Sequence, residues 1–202
     1  MCGAHRQIEI AVVSCAVQIV SCVSGFAQSN NGYRASIALD RTSVGALREY
    51  VARAADVPWP ADIPANLDAP ALYRPLLANM LQRSATFRRQ CQRIANSPDL
   101  TITLRPAGPP WSRNARARTH IVRKDGLLSA TVEVLLMDDP VELIAHEFEH
   151  IIEQLDGIDL PAKAGITSSG VRFAAFDSTT FETDRATRVG VTVSTEVHRP
   201  GG

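Results

Sequence analysis

Apolar positions along the chain recur with two periods, and the switch between them marks the elements. Val44, Leu47, Tyr50 and Val51 repeat at helical intervals and predict a helix over 42–54, with Ser43 as its cap. Pro58, Pro60, Pro64, Pro70 and Pro75 then forbid a long helix or a central strand, and predict an irregular connection over 57–75. Leu77, Met80, Leu81, Phe87, Cys91 and Ile94 predict one helix over 76–96, stopped by Ser97-Pro98. Alternation over 100–104, 118–122 and 128–137 predicts three strands. Asp125-Gly126 joins the last two as a hairpin, because a tight turn of that type needs positive φ.

The most informative helix follows. Asp139 can cap it, Pro140 suits its first position, Glu142 lies three residues after the cap, and Gly157 ends it. Val141, Leu143, Ile144, Phe148, Ile151, Ile152 and Leu155 cover most of its sides, so this helix belongs in the interior. Residues 160–178 read as loop, with Pro161, Gly165 and Gly170; a last helix is predicted over 180–189, ended by Gly190.

The N-terminus changes the picture. Residues 10–20 are apolar or small apart from one Gln, a run too short to span a bilayer as a mature helix. Gly25 and Ala27 follow in the layout of a secretory signal cleaved after Ala27, so residues 1–27 are expected to be a leader and the protein exported. A variant reading takes Ile19-Val20-Ser21-Cys22 as a lipobox with a lipid anchor at Cys22. The remaining 28–202 reads as one α+β domain, with 28–80 as an extension and 100–190 as a sheet with metal-site helices. After cleavage only Cys91 is left, so neither an internal disulfide nor a CxxC metal site is available.

The 202 residues carry 21 basic and 21 acidic side chains, a balance that gives nucleic acid no global attraction. No transmembrane segment is expected in the mature chain, and no G-x-S-x-G or phosphate loop is present. The chemistry is in His146-Glu147-Phe148-Glu149-His150, which matches H-E-x-x-H. Residues four apart on a helix share a face, so both imidazoles reach one zinc ion. Glu147 lies beside them as a general base for an activated water.

A catalytic zinc usually takes three protein ligands. Two carboxylates are candidates here: Glu182, in Thr180-Phe181-Glu182-Thr183-Asp184-Arg185 near a later helix, and Asp156, ten residues after His146. Glu153 sits three residues after His150 and is expected either to orient it through the second ring nitrogen or to form a plain salt bridge. Asp184 is a candidate supporting residue, and His120 and His198 are candidate oxyanion donors. A di-iron carboxylate site would need a second E-x-x-H, which the chain lacks.

On the strand before the motif, Asp139-Pro140 and His146 to His150, the chain resembles the zincin superfamily of metallopeptidases, and more narrowly its gluzincin-like branch. It is also similar to uncharacterised exported bacterial proteins of this type. The resemblance covers at most 128–188. It implies zinc ligands at His146, His150 and Glu182, a general base at Glu147, and a zincin-like fold: a small, mostly antiparallel sheet packed on the buried motif helix. It departs from the family in the short chain and in the absence of an E-x-x-x-D signature after the motif; Glu153 also stands where the Asp156-type branch has Gly. The expected activity is zinc-dependent cleavage of peptide or protein substrates, with the strand over 128–137 as the rim to which substrate adds. The alternatives are a zincin-fold module that binds zinc or a partner without peptidase activity, and a closed structural zinc site, which usually includes cysteines.

Overall fold

The computed structural model describes residues 15–21, 49, 51–107, 115–136, 139–174 and 179–200. The fold is α+β. Strands β1 (Cys15–Ser21), β2 (Leu67–Asp68), β3 (Leu100–Pro106), β4 (Ala117–Lys124) and β5 (Leu127–Val134) form one sheet in the order β1-β4-β5-β3-β2. A second sheet pairs β6 (Val171–Phe173) with β7 (Phe181–Thr183). Five helices are described from end to end: α1 (Arg74–Arg83), α2 (Ala85–Ala95), α3 (Pro140–Leu155), α4 (Leu160–Ala164) and α5 (Asp184–His198). Among the described residues no helix is long and apolar enough to cross a membrane.

The larger sheet is mixed, where the sequence reading expected a mostly antiparallel one. Asp125 at φ 52° and Gly126 at φ 83° make the tight turn that holds β4 and β5 antiparallel. β5 then also pairs with β3, in parallel. β5 thus takes an interior place in the sheet, and its Leu128, Ala130, Val132 and Val134 are all buried. Glu133 is buried too, held by Arg105 on β3 and Arg118 on β4. With a partner on each side, β5 cannot be the substrate rim expected from the sequence; the strand flanking the motif helix nearer the sheet edge is β4.

The expected helix over 76–96 is two helices. Ser84 leaves the helical region at φ −111°, ψ 114°, and its hydroxyl accepts from the Phe87 amide as the cap of α2. Glu196 on α5 fixes the break by accepting from the Thr86 amide at 3.0 Å and from the Ser84 and Thr86 hydroxyls. The second helix can then turn Phe87 onto Phe148 of α3, with ring centroids 5.9 Å apart. The proline-rich stretch is irregular as expected, apart from β2 at the sheet edge and one 3-10 turn, Ala71–Tyr73. The amide of Asn66 anchors it by donating to the carbonyls of Ile94, Ser97 and Leu100. Residues 49 and 51–55 are helical; the rest of the expected 42–54 helix, Ala27 and Cys22 lie outside the described residues. Residues 15–21, within the expected leader, are β1.

α3 is the centre of the molecule, packed on α5, α2, β4 and β5. The Asp139 carboxylate accepts from the Val141 amide at 3.1 Å, Pro140 follows, and Gly157 at φ 71° closes the helix as expected. Two later expectations are overturned. Residues 160–178 are not all loop: Asp159 caps α4, and β6 follows. Gly190 does not end a helix over 180–189. β7 occupies 181–183, and α5 runs from Asp184 through Gly190 to His198.

Candidate metal centre

Helical spacing brings His146 and His150 onto one face of α3, with their Nε2 atoms 3.1 Å apart. Glu182, the middle residue of β7, reaches the same point: its Oε1 lies 2.8 Å from His146 Nε2 and 3.7 Å from His150 Nε2. The three ligand atoms lie within 4.8 Å of one another. Exposure is 2% for His146, 0% for His150 and 2% for Glu182, so the group is shut off from bulk water.

Neighbouring residues hold His150 and Glu182 in place. Glu153 Oε2 lies 3.0 Å from His150 Nδ1, a contact that suits both the orienting role and the salt bridge expected from the sequence. The Thr183 hydroxyl donates to Glu153 Oε1 at 2.7 Å and accepts from the Ala186 amide, so one side chain both supports His150 and caps α5. The Thr183 amide donates to Glu182 Oε1 at 3.2 Å. Glu147 is fully buried, and Thr119 on β4 donates to its Oε2 at 2.6 Å. At Gly190 an added Cβ would stand 3.0 Å from the Glu142 carbonyl and 3.1 Å from His146 Cβ. The missing side chain is what lets α5 cross the His146 turn this closely.

The electrostatics ask for a cation. Burial raises the Glu182 carboxyl, but hydrogen bonds from His146 and His150 outweigh it and hold the group down at about 2. For His150, burial favours the neutral ring, yet hydrogen bonds to Glu153 and Glu182 and the charge of Glu147 push it up to about 10. The carboxylates therefore hold positive charge on the His150 imidazole in the metal-free group. Glu182 Oε2 is buried and has no hydrogen-bond partner among the described residues. Two imidazole nitrogens and a carboxylate with an unsatisfied buried oxygen make a donor set that fits a divalent metal ion.

The structure separates the two candidates for third ligand. Asp156 faces away, paired with Arg185 at 2.9 Å and Arg93 at 3.3 Å. Glu182 joins the histidines from a strand, although the sequence reading assigned it to a helix start. Asp184 is exposed and pairs with Arg172 at 2.6 Å, so it does not support the site. His120 is one residue along β4 from Thr119, on the other face of the sheet by alternation. His198 is exposed at the far end of α5, beside Ser194 and Asp139.

Thr119 and Thr183 were not singled out from the sequence, and Gly190 was read there only as the end of a helix. For Gly190 a signal exists: Ala186, Gly190, Val193 and Val197 form one helical stripe, so the glycine lies inside the apolar period and not after it. No protein-family model, no curated protein and no solved structure matches this chain.

Proposed function

We propose that the chain is a zinc-dependent metallopeptidase-like hydrolase with a zincin-like fold. The observation that carries this reading is the buried convergence of His146, His150 and Glu182, with Glu147 held beside them on the same helix. His146 Nε2, His150 Nε2 and the Glu182 carboxylate would hold zinc, which when bound acidifies a water and polarises a substrate carbonyl. The chain's own residues do the rest. Glu153 and Thr183 keep His150 in the tautomer whose Nε2 is free to ligate. Thr119 pins one oxygen of Glu147, so that carboxylate takes up a proton from a fixed position and returns it to the leaving amine.

The near-complete burial of the group favours a second reading, a module that holds zinc without turning over substrate. One experiment divides the two. Zinc-loaded protein is assayed against a library of unstructured peptides, with Glu147→Gln as the comparison. Hydrolysis that falls by roughly 10²–10⁴-fold in the variant, at unchanged zinc content, supports the enzyme. Stoichiometric zinc without cleavage by the native chain supports the binding module. An equally active Glu147→Gln overturns the role given to Glu147.

A further inference from the structure

The residues around the metal group belong to elements on either side of one strand. β4 supplies Thr119, which holds Glu147, and β7 supplies Glu182. β1 pairs with β4 along its whole length, antiparallel, from Cys15 opposite Arg123 to Ser21 opposite Ala117, and it packs against β7 as well. Ile19 stands at the register position of Thr119. β4 has β5 on its other side, so β1 is what covers its outer row of amides and carbonyls. An uncovered row of that kind is a template for another extended chain.

We propose that Cys15–Ser21 is an exchangeable occupant of this position, and that the outer edge of β4 accepts an extended apolar peptide when the segment leaves. The sequence of the occupant suits the place: Val17, Ile19 and Val20 are β-branched, and the segment carries no charged residue. The same residues lie in the apolar run read above as a leader. Its removal after Ala27 would therefore also open the edge beside the metal group. That an incoming peptide is a substrate rests on the metallopeptidase reading; the occupancy of the edge does not.

Amide hydrogen exchange on the full chain tests the proposal. Gln18→Pro and Ile19→Pro are introduced together. Consecutive strand residues point their amides to opposite sides, so one of the two prolines removes a donor from the β1–β4 ladder. Exchange on β4 should rise at least about tenfold, while α3 keeps its native protection. A synthetic peptide of the Cys15–Ser21 sequence, added to the double variant, should restore protection on β4. Unchanged β4 exchange in the double variant overturns the proposal. So does loss of α3 protection along with β4, which would make the strand part of the folding unit, and so does failure of the peptide to restore protection. If the double variant also cleaves library peptides faster than the native chain, the arriving peptide is a substrate. If neither cleaves, the metallopeptidase reading falls and the exchange result still decides the occupancy.

Discussion

The two sides of α3 solve the same electrostatic problem with different partners. On the side facing α2 and the start of α5, Glu149 is buried against Gln90 at 2.8 Å and Arg185 at 2.6 Å. Asp156 extends this set by pairing with Arg185 and Arg93. On the side facing β4 and β7, Glu147, Glu153 and Glu182 take hydrogen bonds from threonine hydroxyls and imidazoles. Buried carboxylates need compensation, and a guanidinium provides it permanently. Imidazoles provide it only while protonated, and they give it up to a metal ion. Glu147 and Glu149 are the same residue type two positions apart, so the partners and not the residue decide which side is structural.

The largest break in this comparison should come from the ligands. Removing His146, His150 or Glu182 as alanine is expected to weaken zinc binding by more than about 10³-fold in chelator competition, since some 10–16 kcal/mol of binding is shared by three ligands. Asp156→Ala on the opposite side should leave affinity unchanged. An equal loss from Asp156→Ala would erase the distinction between the two sides.

Acidity comes next. His150 in the metal-free group is raised to about 10, so zinc must displace its proton throughout the neutral range. Affinity should therefore rise with pH, about tenfold per unit for each proton displaced, and zinc titrations at pH 6, 7 and 8 measure it. For the metal-free fold the sign is reversed. The raised His150 contributes stability that is fully present below its unfolded value of about 6.5 and is lost as pH rises through about 10. Glu182, held at about 2, stays ionised across this range.

Smaller effects sharpen the contrast. Glu153→Gln or Thr183→Val should cost about 10–100-fold in zinc affinity, because each loosens the support of His150. Glu149→Gln should leave affinity alone and lower unfolding free energy by about 1–3 kcal/mol, as Arg185 loses its buried acceptor. Denaturant titration alongside chelator competition reads both quantities.

What was legible in the sequence was local. The cap, proline and closing glycine of α3 lie within the helix and its flanks, and the Asp125-Gly126 turn needs only its own two residues. Glu153 was legible because helical spacing alone carries it to His150. Glu182 was a candidate by residue type, but its strand was not legible: β7 is three residues long and exists through pairing with β6. The break at Ser84 depends on Glu196, far along the chain. The parallel pairing of β3 with β5 likewise has no signal in either strand, and Gly190 gains its meaning only from the helix it crosses.

The spacing of the ligands along the chain has a kinetic consequence. His146 and His150 come together as soon as α3 winds, an event that takes on the order of a microsecond or less for an isolated helix. Glu182 arrives only after α4 and the β6–β7 pair have closed a much longer loop, whose entropy must be met before the contact repays it. During refolding the ion should thus meet a two-pronged, loosely binding precursor first and a complete chelate later. In stopped-flow refolding with cobalt as the spectroscopic ion, the change marking the finished coordination sphere should lag the helical signal. Simultaneous appearance of the two would mean that the ion itself gathers the distant carboxylate.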